Sequence, residues 1–482
     1  MRDSPVLFWF RRDLRLDDNI GLHEAIRSGQ TVLPVFIVDP RLHRGEWFSR
    51  NRTAFLFKAL AALDARLRRL GANLLIFEGD PRIVLPALVD STSASAIFFN
   101  RDYTPFAITR DDETLQSLSV PVRDFDDSLL IPPGNLLKDD GTAFKVFTAF
   151  HRRWETLPKP PVSTQDFRAD HFCADKRVQG SEILRHAEER VKSHVPLPPA
   201  DEDSAMLHLS HFVAQHLADY QSARNNLPLV PFAARRDSGP SCLSHYLRLG
   251  ILSPRQVYWA AREAYSEAMV ESDRQSIESF CRQIGWRDFF MHIMFHFPHV
   301  RHGNFRRGYD NLGWRTAPAE LAAWQEGRTG YPIVDAAMRQ LSATGWMPNR
   351  ARMFTASFLT KHLLINWRAG EAHFMRHLLD GDPAANNGGW QWSAGTGTDA
   401  QPFFRIFNPV LQSRRYDGDG RYIRHWLPEL KDFPDQFIHE PWRYKAAALD
   451  YPPPVVNHQD ARQRALAAFQ MARAKSPPDQ DA

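Results

Sequence analysis

The sequence predicts an N-terminal α/β domain built on a doubly wound parallel sheet, followed by an all-α domain. Three observations carry that reading: short apolar runs alternate with helical patterns at the start of the chain, two proline clusters follow, and helical spacing takes over beyond them. The runs are Val6 to Phe10, Val32 to Val38, Asn73 to Phe77, Ala96 to Phe99 and Val120 to Phe125. They are rich in β-branched and aromatic residues, as strands covered on both faces are. Between the second and third, Leu56, Leu60, Leu63 and Leu67 form one apolar stripe on a helix able to cover such a sheet. Pro158, Pro160 and Pro161, then Pro196, Pro198 and Pro199, read as a stiff surface connector. Beyond it, Ile333, Ala337 and Leu341, and again Leu359 and Leu363, recur at helical spacing. The expected division is therefore a sheet domain over 1–130, a linker over 131–204, a helical domain over 205–474 and a disordered polar tail over 475–482.

Composition narrows the function classes. A chain of 482 residues, 43% apolar and 12% aromatic, can bury a core large enough to enclose a sizeable ligand. Its 60 Lys+Arg against 56 Asp+Glu leave +4, so any nucleic-acid face must come from local clustering. Cys173, Cys242 and Cys281 are far apart and odd in number, which fits a reducing cytoplasm and argues against disulfides or an iron–sulfur site. No apolar run approaches the length of a membrane span, and a cytoplasmic monomer is expected. Neither a Gly-x-Gly-x-x-Gly after the first strand nor a Gly-Lys-Ser/Thr loop occurs, which removes the usual dehydrogenase and nucleotide-hydrolase signatures.

The chemistry is expected in the second half. Nine of thirteen tryptophans lie between 286 and 442, interleaved with Arg282, Arg287, Arg301, Arg306, Arg307, Arg350, Arg352 and Arg405. Indole faces stack on unpaired bases while guanidinium groups hold phosphates, although ordinary core indoles and solvated arginines would look the same one by one. The stretch Asp380-Gly-Asp-Pro-Ala-Ala-Asn386-Asn-Gly-Gly-Trp390-Gln-Trp392 is a polar turn running into an aromatic wall, and by itself reads first as a helix-capping turn. His292 and His296 stand one helical turn apart, but without the glutamate or further ligands of a zinc site; no metal is expected.

At these residues the chain resembles a known family. Gly330-Tyr-Pro-Ile-Val-Asp-Ala-Ala-Met-Arg-Gln-Leu, Thr344-Gly-Trp, Asn349-Arg-Ala-Arg-Met, Asp380-Gly-Asp, Ala385-Asn-Asn-Gly-Gly-Trp-Gln-Trp, Arg405-Ile-Phe-Asn-Pro and the opening Trp9-Phe-Arg-Arg-Asp-Leu-Arg-Leu-Asp-Asp-Asn are similar to the DNA photolyase and cryptochrome family, and among its members to class I cyclobutane-pyrimidine-dimer photolyases. The resemblance implies flavin adenine dinucleotide (FAD) in the helical domain, a light-harvesting chromophore in the sheet domain, damaged DNA as partner, and blue-light repair by electron transfer to a flipped dimer. It places Tyr220, Ser241, Leu243, Ser244, Arg287, Arg352, Asp380, Gly381, Asp382 and Asn386 at the flavin, Asn386 facing N5. Trp390, Trp367 and Trp314 match the chain of indoles that reduces it. Gln283, Trp286, Arg287, Asn349, Arg350, Met353, Trp392, Arg405 and Gln412 match DNA contacts, with Trp286 and Trp392 walling the flipped bases.

Departures qualify the resemblance. Gln283 replaces the class I glutamate, Pro348 a histidine, and Pro240 and Cys242 alter the flavin segment. Glutamine at 283 favours (6-4) photoproduct repair as an alternative, which the absent histidine pair opposes; a photoreceptor without repair, opposed by Asn386, is the other. For the antenna, Arg11, Arg12, Asp102 and Arg248 match positions of deazaflavin-binding members, and Phe106 and Ala107 stand where folate-binding members have an asparagine–glutamate pair. A deazaflavin-like or flavin antenna is expected ahead of folate, since neither Phe106 nor Ala107 can satisfy a pterin amine.

Overall fold

The computed structural model describes residues 4–43, 45, 47–173, 191–228, 239–445 and 450–474. Both proline clusters fall within them, whereas residues 174–190 of the expected linker and the expected tail over 475–482 lie outside. Five strands form where the apolar runs are: β1 Val6–Phe10, β2 Val32–Val38, β3 Leu75–Glu78, β4 Ala96–Asn100 and β5 Val122–Phe125. They pair in parallel in the order β3-β2-β1-β4-β5. Every residue of β1 and β2 is buried, which is why these strands show continuous rather than alternating hydrophobicity. Leu7, Trp9, Leu33, Val35, Ile37, Ile97 and Phe99 share one face and pack with Leu85, Leu88 and Val89 of the helix Pro81–Thr92. The expected stripe sits on the helix Arg50–Arg69, where Leu60, Leu63 and Leu67 are buried together with Phe55 and Ala59, while Leu56 is only half-buried. Strand order reverses between β1 and β4, so the chain leaves their C-terminal ends in opposite senses and opens a crevice there.

Among the described residues, every helix or strand from Glu202 onward is helical. The sequence builds these starts locally. Pro332, Pro383 and Pro409 each open a helix, where the fixed φ costs nothing and the missing N–H is not needed. Ser253 and Gln256 form a reciprocal cap on the helix Pro254–Glu267.

The chain divides into two compact units, Met1–Gln221 with Ser241–His296, and Ser222–Pro240 with Phe297–Ala482. The first therefore holds the sheet together with the long helix Glu271–His296. The stretch expected to be only a connector includes the helix Phe147–Thr156, which buries Phe147, Phe150, His151 and Trp154. Prolines flag stiffness; they do not reveal that an aromatic face lies just before them. In the second unit one continuous core joins the helices Pro332–Thr344, Asn349–Ser357, Trp367–His377 and Pro383–Ala394.

Candidate flavin and DNA site

In the second unit Asp382 and Asp380 do different work. Asp382 caps the helix Pro383–Ala394, accepting from the amides of Ala384 and Ala385 at 3.0 Å each, as the capping reading expects. Asp380 is buried; its Oδ2 accepts from Arg352 at 2.7 Å, while its buried Oδ1 has no hydrogen-bond partner. An unpaired buried carboxylate oxygen costs free energy and marks a place for a donor. Arg352 is aimed by a second bond from Nε to the Met347 carbonyl, at 2.8 Å. A ring N–H such as an isoalloxazine offers fits that oxygen.

One turn into the capped helix, Asn386 donates its amide N–H to the Glu371 carbonyl at 3.1 Å. The neighbouring Asn387 donates to the Glu371 carboxylate at 2.9 Å. The two amides thus lock the helices Pro383–Ala394 and Trp367–His377 together, and Asn386 keeps its oxygen to offer. Trp390, one turn further on, is 2% exposed and lies on Gly370, where a Cβ would stand 2.1 Å from the indole. That close approach seats Trp390 on the helix that Trp367 begins. Trp367 is also buried and donates from Nε1 to Asn304 at 2.8 Å, whereas Trp314 is half-buried, its edge toward Phe469. Trp324 is an indole that sequence reasoning passed over. It is wholly buried, edge-on to Trp390 with ring centroids 6.0 Å apart.

Trp392 is half-buried, as a residue two positions from buried Trp390 on a helix should be. Asn349 is exposed and Met353 half-buried, with the Asn349 amide 3.7 Å from the Met353 sulfur. Arg350 bonds the Asn225 side chain and lies 4.7 Å from the Tyr416 ring centre. Burial lowers its pKa and the guanidiniums of Arg224, Arg415 and Arg405 add to that, against Tyr416. Arg224, Arg350, Arg405 and Arg415 thus concentrate positive charge locally. Gln412 presents a buried Oε1 without a partner.

In the first unit Tyr220 packs edge-on against Phe212 and Phe280. Ser241 accepts at its carbonyl from His208, and buried Leu243 precedes the helix Ser244–Leu249. Arg287 donates to the Ser128 carbonyl at 2.7 Å and to the carbonyl of Leu247, in the helix Ser244–Leu249, at 3.5 Å, and it lines the crevice at the strand ends. Trp286 is half-buried, one face stacked on Phe147, and Gln283 on the same helix donates to Ser279 at 3.3 Å. His292 and His296 donate to the carbonyls of Ile131 and Pro133, a structural use of the pair.

The crevice itself is lined by Arg11, Arg12, Asp13, Asn100, Arg101, Asp102, Asp127, Ser128, Arg287 and Met291. Arg12 faces Asp102 at 3.5 Å and donates to the carbonyl of Arg248 at 3.3 Å, so Arg248 joins through its backbone. Burial pushes the Asp102 carboxyl up, but Arg12 and Arg11 outweigh it and hold it below the usual range. Arg11 pairs with Asp111 and sits over Phe99 and Trp9. Phe106 is spoken for by the guanidiniums of Arg41 and Arg110, and Ala107 by the start of the helix Pro105–Leu115. Asn100 and Asp127 were not anticipated; being at the end of β4, Asn100 could have been.

Two family models match, "DNA photolyase" over residues 6–166 and "FAD binding domain of DNA photolyase" over 280–471. The deoxyribodipyrimidine photo-lyase of Escherichia coli is 40% identical, over 97% of this chain and 98% of its own. The chain belongs to the DNA photolyase family. By that kinship this photolyase is an enzyme and a flavoprotein, with the family's FAD-binding domain. The solved class III photolyase from Agrobacterium tumefaciens superposes with a TM-score of 0.87 at 36% identity, covering 98% of this chain and 99% of that one. This overturns the class I assignment in favour of class III. The class I assignment rested on short motifs, whereas the superposition compares nearly the whole chain. An archaeal photolyase from Sulfolobus tokodaii, with a TM-score of 0.82 at 33% identity and covering 97% of this chain and 100% of that one, was solved with two FAD molecules. No helix among the described residues is long and apolar enough to cross a membrane.

Proposed function

We propose that this photolyase uses blue light to split cyclobutane pyrimidine dimers in DNA, acting as a cytoplasmic monomer. The observation that carries the reading is the pairing, on one helix, of an oriented Asn386 with a buried Trp390 one turn away, beside a carboxylate, Asp380, that lacks one donor. Bound FAD would supply, in its reduced and photoexcited form, a one-electron donor for the dimer, and the residues named below would hold it. Asp380, aimed by Arg352, would accept from a flavin N–H, with Asp382 and Gly381 alongside and the Asn386 oxygen at N5. Tyr220, Ser241, Leu243 and Ser244 are the proposed contacts to the rest of the cofactor. Trp314, Trp367 and Trp390 would deliver the reducing electron from the surface inward. A flavin cannot reach a base inside the stack, so the dimer must be flipped out; Trp286 and Trp392 would then stack on it, with Gln283, Asn349 and Met353 as polar and soft contacts. Arg350, Arg405 and Gln412 would hold the backbone.

The test is repair of oligonucleotides carrying one lesion. Loss of a cyclobutane dimer in light and not in darkness is expected. Gln283 makes the (6-4) photoproduct the necessary second substrate, and activity on that lesion alone would replace the reading by its alternative.

A further inference from the structure

The crevice at the strand ends and the basic patch belong to functions already proposed, but one feature of the first unit does not. Helix Phe147–Thr156 and helix Glu271–His296 build a column of stacked rings beneath Trp286. Phe147, 1% exposed, lies face to face with Trp286, centroids 3.7 Å apart and planes inclined by 11°. One turn on, His151 leans on Phe147 at 5.2 Å, and Trp154 stacks under His151 at 5.5 Å and 18°. The column can form because residue 285 is glycine: a Cβ there would stand 2.8 Å from the His151 ring. It is anchored at depth, where Trp154 donates to buried Asp288 at 3.0 Å. Arg282 adds its guanidinium 5.0 Å from the Phe147 centre. The imidazole stays neutral, because burial, with Arg282 and Lys159, pushes its pKa down to about 4.

From this geometry we infer that Phe147 is a positioning residue for lesion binding: it holds the Trp286 indole in one plane, so that an incoming base adds one more ring to a preformed stack. The inference rests on the proposed role of Trp286. Its physical content is entropy. An indole standing alone samples several rotamers and must be ordered when a base arrives, whereas one already stacked on a buried ring has lost that freedom on folding. Phe147 itself touches no substrate.

The experiment compares Phe147→Leu, Phe147→Tyr and Trp286→Ala, alone and with Phe147→Leu combined with Trp286→Ala, by affinity for a duplex with one cyclobutane thymine dimer and for the undamaged duplex. Phe147→Leu should lose about tenfold in affinity for the dimer duplex with undamaged binding unchanged, the loss of one stacked aromatic pair, and Phe147→Tyr should restore it. In the Trp286→Ala background Phe147→Leu should cost nothing further. An equal loss in that background, or parental affinity in Phe147→Leu while Trp286→Ala is impaired, would overturn the role of Phe147 alone. A parent that binds both duplexes equally overturns the reading of Trp286 with it.

Discussion

At the scale of single residues, burial separates groups of one chemical type into different roles. Asp382 is spent on a helix terminus, while Asp380 keeps one oxygen unpaired. Among the tryptophans, Trp390 and Trp367 are enclosed and Trp314 is half-buried, the order expected of a route from protein surface to buried acceptor. Trp390→Phe keeps an aromatic ring at this position and removes the easily oxidised indole. It should therefore retain bound flavin but lose photoreduction by an added reductant, at least tenfold, which absorbance under illumination would read. A variant reduced as fast as the parent would show that electrons enter elsewhere, with Trp324 the first residue to try.

Whole elements depend on a few buried polar devices, and Lys361 is one that couples to pH. It lies on a π-helical turn, Phe358–His362, and is itself fully buried. Its ammonium donates to the Ala394 carbonyl at 2.6 Å, capping the C-terminus of the helix that bears Asn386 and Trp390, and stands 3.6 Å from the Phe469 ring centre. Burial pushes its pKa down to about 7. The unfolded chain therefore binds the extra proton between pH 7 and the ordinary lysine value of 10.5, and over that window this group makes folding more favourable as pH rises. Lys361→Met should remove the trend. Denaturant melts between pH 7.5 and 9.5 should show the stability difference between parent and variant changing by about 1 kcal/mol per pH unit. A constant difference would mean that the amine keeps its proton inside the fold.

For the molecule as a whole, a light-gathering cofactor in the sheet domain is the remaining question. The crevice at the end of β1 and β4 is lined by charged side chains, Arg12 and Asp102 among them. A deazaflavin or flavin could use that charged pair, while Phe106 and Ala107 give a folate no acceptor. We expect reconstitution with either flavin-type chromophore to add a band to the excitation spectrum of flavin reduction, and Asp102→Asn to weaken its binding. Stoichiometric folate that transfers energy and ignores the Asp102 change would place the antenna elsewhere and sink the proposal.

Sequence by itself determined what depends on neighbours a few residues apart. Strand positions followed from continuous apolar runs, and the capping turn before the helix Pro383–Ala394 from Asp380 to Asp382. Each is set by backbone geometry and local hydrogen bonding, so spacing reveals it, whereas the flavin and tryptophan roles came only from the resemblance of short motifs. What only the tertiary structure decided joins residues far apart in the chain. Phe147 finds Trp286 across more than a hundred positions, Arg12 finds Asp102 and the Arg248 carbonyl, and Arg287 finds the carbonyls of Ser128 and Leu247. No periodicity encodes such meetings, because they arise when buried faces choose partners by shape and by the need to satisfy every enclosed polar group.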